Sequence, residues 1–252
     1  MKIKREKILN LILPLICALS ILVVWVIASA KIDNEFILPS LNVTAERLFA
    51  LLLSKDFYRS FLFTLFRSLI SFILSFSLAF ALALLCYRIK RASLIVEPFI
   101  RVIRALPTIA VVLLLLFWTN SKIAPVIVTF LVVMPTSYTH LSEAFFSIDK
   151  TVVEAGKVDG ADGLNLSTRV EFPLIAPAFL SGIGSGISLN FKLMVAAEVL
   201  AQTANSIGYL LNTSKVYFEI ADMMAIVVVA VLFSVIIEKF FTALSRKTGS
   251  WR

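Results

Sequence analysis

Long apolar runs are the feature that most limits how this chain can fold. An apolar helix of about 20 residues crosses the hydrocarbon core of a bilayer. Hydrocarbon offers no hydrogen-bond partners to the backbone, so each such run must satisfy its own N–H and C=O groups as a helix. We predict six membrane-spanning helices: Ile8–Ala30, Arg59–Tyr87, Pro98–Thr119, Ile123–Phe146, Leu174–Leu200 and Ile220–Leu244.

The composition supports this interpretation. Hydrophobic residues make up 60% of the 252 residues and charged residues 16%, whereas soluble domains carry roughly a quarter charged residues. So much apolar surface cannot be buried inside one globule of this size, so lipid must solvate much of it. We therefore predict an all-α, multi-pass integral membrane protein. Residues 1–252 would form one transmembrane domain, with a core from about 57 to 245.

The basic residues predict the topology. A net charge of +8 could suit nucleic acid, but the Lys and Arg residues lie between apolar runs and form no patch interleaved with aromatic residues. Most fall in segments that share one side if the N-terminus is cytoplasmic. The prediction is that both termini and the segment 147–173 are cytoplasmic, and that nucleic acid is not a partner.

Two of the apolar runs have features that affect their interpretation. The first run could be a signal peptide cleaved after Ala28-Ser29-Ala30, but it is longer than the 7–15 apolar residues typical of such peptides. An uncleaved helix is the favoured interpretation. In the third run, Pro107 should kink the helix because proline lacks a backbone N–H.

The segment between the fourth and fifth runs carries the most informative pattern. Thr151–Val158 predicts a short amphipathic helix. Gly160 and Gly163 should end it and let the chain reverse, and Pro173 is tolerated in the first turn of the next helix. The expected result is a compact knob on two membrane helices, which is suited to transmitting force from a soluble partner.

This segment resembles the EAA loop of binding-protein-dependent ABC importer permeases. Their pattern is Glu-Ala-Ala, three residues, Gly, nine residues, Ile, any residue, then Leu-Pro. The spacing holds in this chain, with Gly156, Val170 and Phe172 replacing Ala, Ile and Leu. Gly156 should weaken the short helix by roughly 0.5–1 kcal/mol relative to Ala. The matching residues are Glu154, Ala155, Gly156, Gly160, Val170, Phe172 and Pro173.

Further segments resemble the nitrate/sulfonate/taurine-type permeases of this family. They are Ile37-Leu38-Pro39-Ser40, Thr64-Leu65-Phe66-Arg67, Glu97-Pro98-Phe99-Ile100-Arg101 with Leu106-Pro107, and Ala197-Glu198-Val199-Leu200 followed by Ile207-Gly208.

The resemblance implies a permease core like that of the methionine importers and a location in the bacterial cytoplasmic membrane. It implies a non-catalytic subunit that pairs with a second permease, most simply as a homodimer. Its other implied partners are two ATPase subunits, which dock on the loop and bind the ATP, and an extracytoplasmic solute-binding protein. The implied solute is a small anion or an organic sulfonate. The chain itself lacks a G-x-x-x-x-G-K-[ST] phosphate loop, so no cofactor, metal or catalytic residue is expected on it.

The fifth run holds the other candidate residues. Gly182 and Gly186 would allow close helix approach, either within the subunit or at a dimer interface or pore. Lys192 and Glu198 are charges near or within a membrane helix and are candidates for the solute path. For Lys192, snorkelling of its amine to the outer headgroups is the alternative. The single histidine, His140, is assigned to helix packing.

Two other functions of a multi-pass membrane protein fit the sequence less well. A secondary carrier or channel without an ATPase is the alternative transport function, but such proteins usually place several ionisable residues at mid-membrane. An intramembrane enzyme would need a His–Ser pair, two mid-membrane Asp residues or a cluster of metal ligands. The sequence offers one histidine and no such Asp pair.

Overall fold

The computed structural model describes residues 2–249, and nearly all of them are helical. A turn of 3₁₀-helix covers Lys90–Ala92 and a π-turn covers Ser167–Glu171. The α-helices are α1 Lys2–Ile32, α2 Leu41–Leu53, α3 Lys55–Arg88, α4 Ser93–Ala105, α5 Thr108–Trp118, α6 Ala124–Phe146, α7 Lys150–Val158, α8 Gly163–Leu166, α9 Phe172–Ala201, α10 Ile207–Val216 and α11 Ile220–Gly249.

Four helices are long and apolar enough to cross a membrane. They are α3, α6, α9 together with the π-turn before it, and α11, so the chain is a multi-pass membrane protein. The apolar part of α1 within the described residues is shorter and covers Leu19–Ile32. The number of six spans and the side occupied by each terminus stay predictions.

The kink predicted at Pro107 in the third span is confirmed, and it divides the span into two helices. Its residues form α4 and α5, which meet at an angle of 90°. Pro107 has no N–H to donate, and Leu106 before it adopts an extended backbone with ψ 126°, as the residue before a proline usually does. At 1.5 Å per residue, α5 is roughly 16 Å long, about half of the hydrocarbon core.

Two short helices, α2 and α10, lie between the predicted spans. The hydroxyl of Ser40 accepts a hydrogen bond from the Val43 N–H and caps α2. The hydroxyl of Ser206 accepts one from the Tyr209 N–H and caps α10. Both serines therefore mark the start of a helix, which is a common role of this residue.

Small side chains let α3 pack closely against α6 and α9 at the centre of the bundle. In hydrocarbon, close packing and interhelical hydrogen bonds hold helices together. The Ser71 hydroxyl lies 2.7 Å from that of Thr129 on α6 and 3.4 Å from the Asn190 amide nitrogen on α9. The small buried residues recur about once per turn along α3: Ser60, Thr64, Ser68, Ser71, Ser75, Ala79, Ala83 and Cys86.

The bundle has two ends that differ in structure. We call the end that carries the Glu154–Pro173 loop the loop end, and the end that carries residues 202–206 the far end. Because α3 and α9 run in opposite directions, the end of α3 and the start of α9 meet at the loop end. The end of α9 meets the first half of α3 at the far end.

Candidate functional site: the Glu154–Pro173 loop and the anchors of α9

The loop begins with a capped helix, as predicted. A carboxylate oxygen of Asp149 accepts a hydrogen bond from the Thr151 N–H at 2.9 Å, which caps α7. This hydrogen bond to the ionised form lowers the pKa of the Asp149 carboxyl below its ordinary value. Lys157 in the last turn complements the negative end of the helix dipole.

Gly160 and Gly163 reverse the chain after α7. Both have a positive φ, +82° and +48° respectively, a conformation that glycine adopts without strain. The Ala161 N–H closes the helix end by donating to the Gly156 carbonyl at 2.9 Å. The predicted chain reversal at these two glycines is therefore confirmed. A Cβ on Gly160 would meet no atom within 4 Å, so this turn has an open surface.

Gly156 is the point where α7 meets the returning chain. A Cβ built on Gly156 would lie 2.9 Å from a methyl group of Val170 and 3.3 Å from one of Leu166. Leu166 is buried at 4% exposure. The replacement of alanine by glycine in the motif thus allows α7 to approach the segment that leads back to α9.

The loop is anchored to the bundle by an ion pair that the sequence did not predict. Arg88, the last residue of α3, forms a bidentate ion pair with the Glu171 carboxylate. It also donates a hydrogen bond to the Ser167 hydroxyl at 2.6 Å. The Tyr87 hydroxyl donates to the same carboxylate at 3.3 Å. Glu171 is 3% exposed. It occupies the unspecified position of the motif, so its acidic character was the only signal in the sequence.

Clefts separate α7 from the start of α9. One, of about 620 Å³, lies between Ala155 and Gly156 on α7 and Pro173 and Pro177 on α9. A second, of about 440 Å³, lies between Val152 and the same part of α9.

Phe172 is half exposed and its ring packs edge-on against Phe179. Glu154 is exposed, so its carboxylate is available to a partner.

At the far end, Glu198 is buried within a second anchor. Its side chain has no exposed surface. Its carboxylate accepts hydrogen bonds from Arg67 at 2.5 Å and from the Thr64 hydroxyl at 2.8 Å. Thr64 also accepts from the Ile207 N–H at 3.0 Å. Two segments that carried the resemblance, Thr64–Arg67 and Ala197–Gly208, therefore meet in one cluster.

This geometry gives Glu198 a structural role, and its candidate place in the solute path stays a prediction. A fully buried carboxylate that pairs with Arg67 does not line an open path in this structure. Arg67 also donates to the carbonyls of Ala204 and Asn205 at 3.4 and 3.5 Å. Glu198 and Arg67 thus hold the connection between α9 and α10 against α3. Lys192, by contrast, is exposed, and no salt bridge to it is present among residues 2–249.

The two candidate packing glycines face helices of the same subunit. A Cβ on Gly182 would lie 2.5 Å from the His140 ring on α6, and one on Gly186 would lie 2.7 Å from the Phe72 ring on α3. His140 itself bridges α6 and α9, because its Nε2 lies 2.9 Å from the Ala178 carbonyl oxygen.

A match to a known family identifies the class of protein to which this helical fold belongs. Residues 71–249 match the family described as the binding-protein-dependent transport system inner membrane component. The chain belongs to this family. It is therefore a non-catalytic membrane component of an ABC transporter rather than an enzyme.

Curated relatives share this assignment. A probable ABC transporter permease protein of Brucella abortus is 26% identical over 231 residues, which are 90% of each chain. A riboflavin transport system permease protein of Chloroflexus aurantiacus is 30% identical over 73% of this chain and 69% of its own length. A putative aliphatic sulfonates transport permease protein of Bacillus subtilis is 20% identical over 96% of this chain and 87% of its own length.

Solved structures share the fold. A bacterial alginate ABC transporter in complex with its alginate-bound periplasmic protein matches with a TM-score of 0.68 at 17% identity, over 99% of this chain and 97% of the other. The inward-facing MetNI methionine ABC transporter matches with a TM-score of 0.65 at 17% identity, over 76% and 95%. The predicted all-α fold with a core like that of the methionine importers is confirmed.

Proposed function

We propose that this chain forms the solute path of an ATP-driven importer and couples to a separate ATPase through the Glu154–Pro173 loop. The observation that carries the proposal is the construction of the loop. A short capped helix with exposed Glu154 ends in an open glycine turn, and the clefts behind it leave room for movement. An exposed, firmly anchored knob of this kind suits docking by a soluble partner.

The proposed assembly contains a second permease, two ATPase subunits and an extracytoplasmic solute-binding protein, in a bacterial cytoplasmic membrane. ATP would bind to the ATPase subunits. The alginate transporter, whose structure includes a periplasmic protein, supports this division of labour. The homodimer remains the simplest arrangement.

For the solute, we propose a small anion such as an organic sulfonate. The sulfonate permease of Bacillus subtilis is similar over nearly the whole chain. Lys192 supplies an exposed positive charge on α9, and an exposed charge on a membrane helix is stable only against water, headgroups or a partner. The riboflavin permease of Chloroflexus aurantiacus makes a larger heteroaromatic solute the second candidate.

The coupling proposal is tested by the Gly160→Val variant. Valine is costly at φ +82°, so the docking surface should change shape while the membrane helices stay folded. We expect the variant to insert normally but to lose ATPase co-purification and uptake, and Glu154→Ala to lose coupling more mildly. Normal ATPase binding and transport by Gly160→Val would refute the proposal. Asp162→Ala, an exposed change in the same turn, is the control.

The chain has two cysteines, Cys17 and Cys86. The topology is tested with single cysteines in a background that lacks both. Asp159→Cys at the loop end and Ala204→Cys at the far end are both exposed positions. An impermeant thiol reagent added to intact cells should label the cysteine at 204 and leave the one at 159 unlabelled. Labelling of position 159 from outside would contradict a cytoplasmic loop.

A further inference from the structure

The Glu154–Pro173 loop touches the membrane helices mainly through its returning segment. The two clefts keep α7 apart from α9, and Gly156 rests on Val170 and Leu166. α7 therefore joins the bundle in two places, through the short connection 147–149 to α6 and through residues 163–171. The place where the second connection is fastened decides whether α3 responds together with α6 and α9.

The fastening point is the guanidinium of Arg88. In a helix of about four residues per turn, Ser167 and Glu171 lie on the same face, and both bind this guanidinium. The planar fork of arginine holds a carboxylate in a defined orientation. The ring of Tyr87 lies under the guanidinium at 5.3 Å, and its hydroxyl binds Glu171. Two neighbouring residues at the end of α3 thus hold one carboxylate.

From this pair, α3 extends to the far end. Arg88 and Arg67 lie 21 residues apart on the helix, which corresponds to about 32 Å at 1.5 Å per residue. At its other end, Arg67 holds Glu198 and the carbonyls of the α9–α10 connection. Like α9, α3 therefore joins the loop end to the far end.

We propose that Arg88 and Glu171 are positioning residues of the coupling machinery, through which motion of the Glu154–Pro173 loop is passed to α3 and so to the far end. This inference rests on the proposed docking of an ATPase on the loop. Without the ion pair, the loop still binds and follows the ATPase, but α3 no longer follows the loop.

The test follows both ends of the bundle in the assembled complex with its ATPase. In the background without Cys17 and Cys86, Asp159→Cys reports on the loop and Ala204→Cys on the far end. The rate of modification by a fluorescent maleimide is measured for each, without nucleotide and with ATP plus vanadate. In the otherwise unaltered chain, we expect nucleotide to change both rates.

In Glu171→Gln, we expect the complex to assemble and the rate at position 159 to respond as before. The nucleotide response at position 204 should shrink about fivefold or more, within the range of coupling between contacting residues. The matched control is Glu97→Gln, which removes the partner of an exposed ion pair, with Arg101 at 3.2 Å. It should leave both responses unchanged.

A full response at position 204 in Glu171→Gln would overturn the proposal. If that variant does not assemble, the exchange Arg88→Glu with Glu171→Arg is the second test, and it should restore assembly and the far-end response together. Restored assembly without the far-end response would mean a structural role alone. Failure of the proposed docking looks different, because position 159 would then ignore nucleotide even in the otherwise unaltered chain.

Discussion

The loop end and the far end both join α3 to α9 through an arginine–glutamate pair, but they are built differently. At the loop end, Arg88 is 39% exposed beside a nearly buried Glu171. At the far end, Arg67 is 12% exposed and Glu198 is fully buried. The far end also brings backbones together, since a Cβ on Gly208 would lie 2.5 Å from the Val199 nitrogen, whereas Gly160 faces open space. This difference implies a hinge-like joint at the loop and a rigid clamp at the far end.

Removing the carboxylate charge at each end should give the largest difference in stability loss between the two ends. In Glu198→Gln, the Arg67 guanidinium loses its charged partner at a site that water hardly reaches. Breaking a buried pair in this way costs about 3–5 kcal/mol. Glu171→Gln should cost less, because water can reach the half-exposed Arg88. Thermal unfolding of the detergent-purified variants measures both. Equal losses at the two ends would contradict the distinction between clamp and hinge.

Adding one methyl group to the far-end clamp should also be costly. In Gly208→Ala, the new Cβ would lie 2.4 Å from the Glu198 Cβ and 2.6 Å from its carbonyl carbon. Because backbone atoms cannot rotate away, α10 must separate from α9, at a cost of about 1–3 kcal/mol. A lower unfolding midpoint with weaker protection of residues 202–206 in hydrogen exchange is expected. Wild-type stability would show that this junction is not tight.

The same methyl group at the loop turn should cost less. Gly160→Ala places alanine at φ +82° in open space, so the cost is only that of the left-handed backbone, about 1 kcal/mol. We expect the unfolding midpoint to change little and hydrogen exchange to increase in residues 156–162. A stability loss as large as that of Gly208→Ala would mean that the turn is packed as tightly as the far end.

The smallest effect concerns the cap of α7 and its dependence on pH. The pKa of Asp149 is lowered by its hydrogen bond to the Thr151 N–H. The stabilisation of α7 is therefore present above the ordinary pKa of about 3.8 and is lost as pH falls through the lowered value. Hydrogen exchange of residues 151–153 should accelerate in that range. Asp149→Ala should show the faster exchange already at neutral pH, and pH-independent protection in the unaltered chain would contradict this role.

The sequence by itself determined the apolar helices and the turn of the loop. Long apolar runs permit no other backbone structure in lipid, so α3, α6, α9 and α11 appear close to their predicted bounds. The positive φ of Gly160 was likewise predictable, because a helix that must end and reverse within a few residues favours glycine at that point. Both features follow from the local sequence, because each depends only on residues that are close along the chain.

Tertiary structure alone decided which charges pair and how the third span bends. Arg67 and Glu198 are separated by 131 residues and Arg88 and Glu171 by 83, and nothing in local periodicity relates such distant positions. Glu198 was therefore assigned to the solute path, while the fold buries it in a clamp. Pro107 predicted a bend, but the angle of 90° between α4 and α5 is seen only in the structure, where both helices pack against α6. Pairing across helices follows from their relative placement, which the packing of small residues on α3 makes possible.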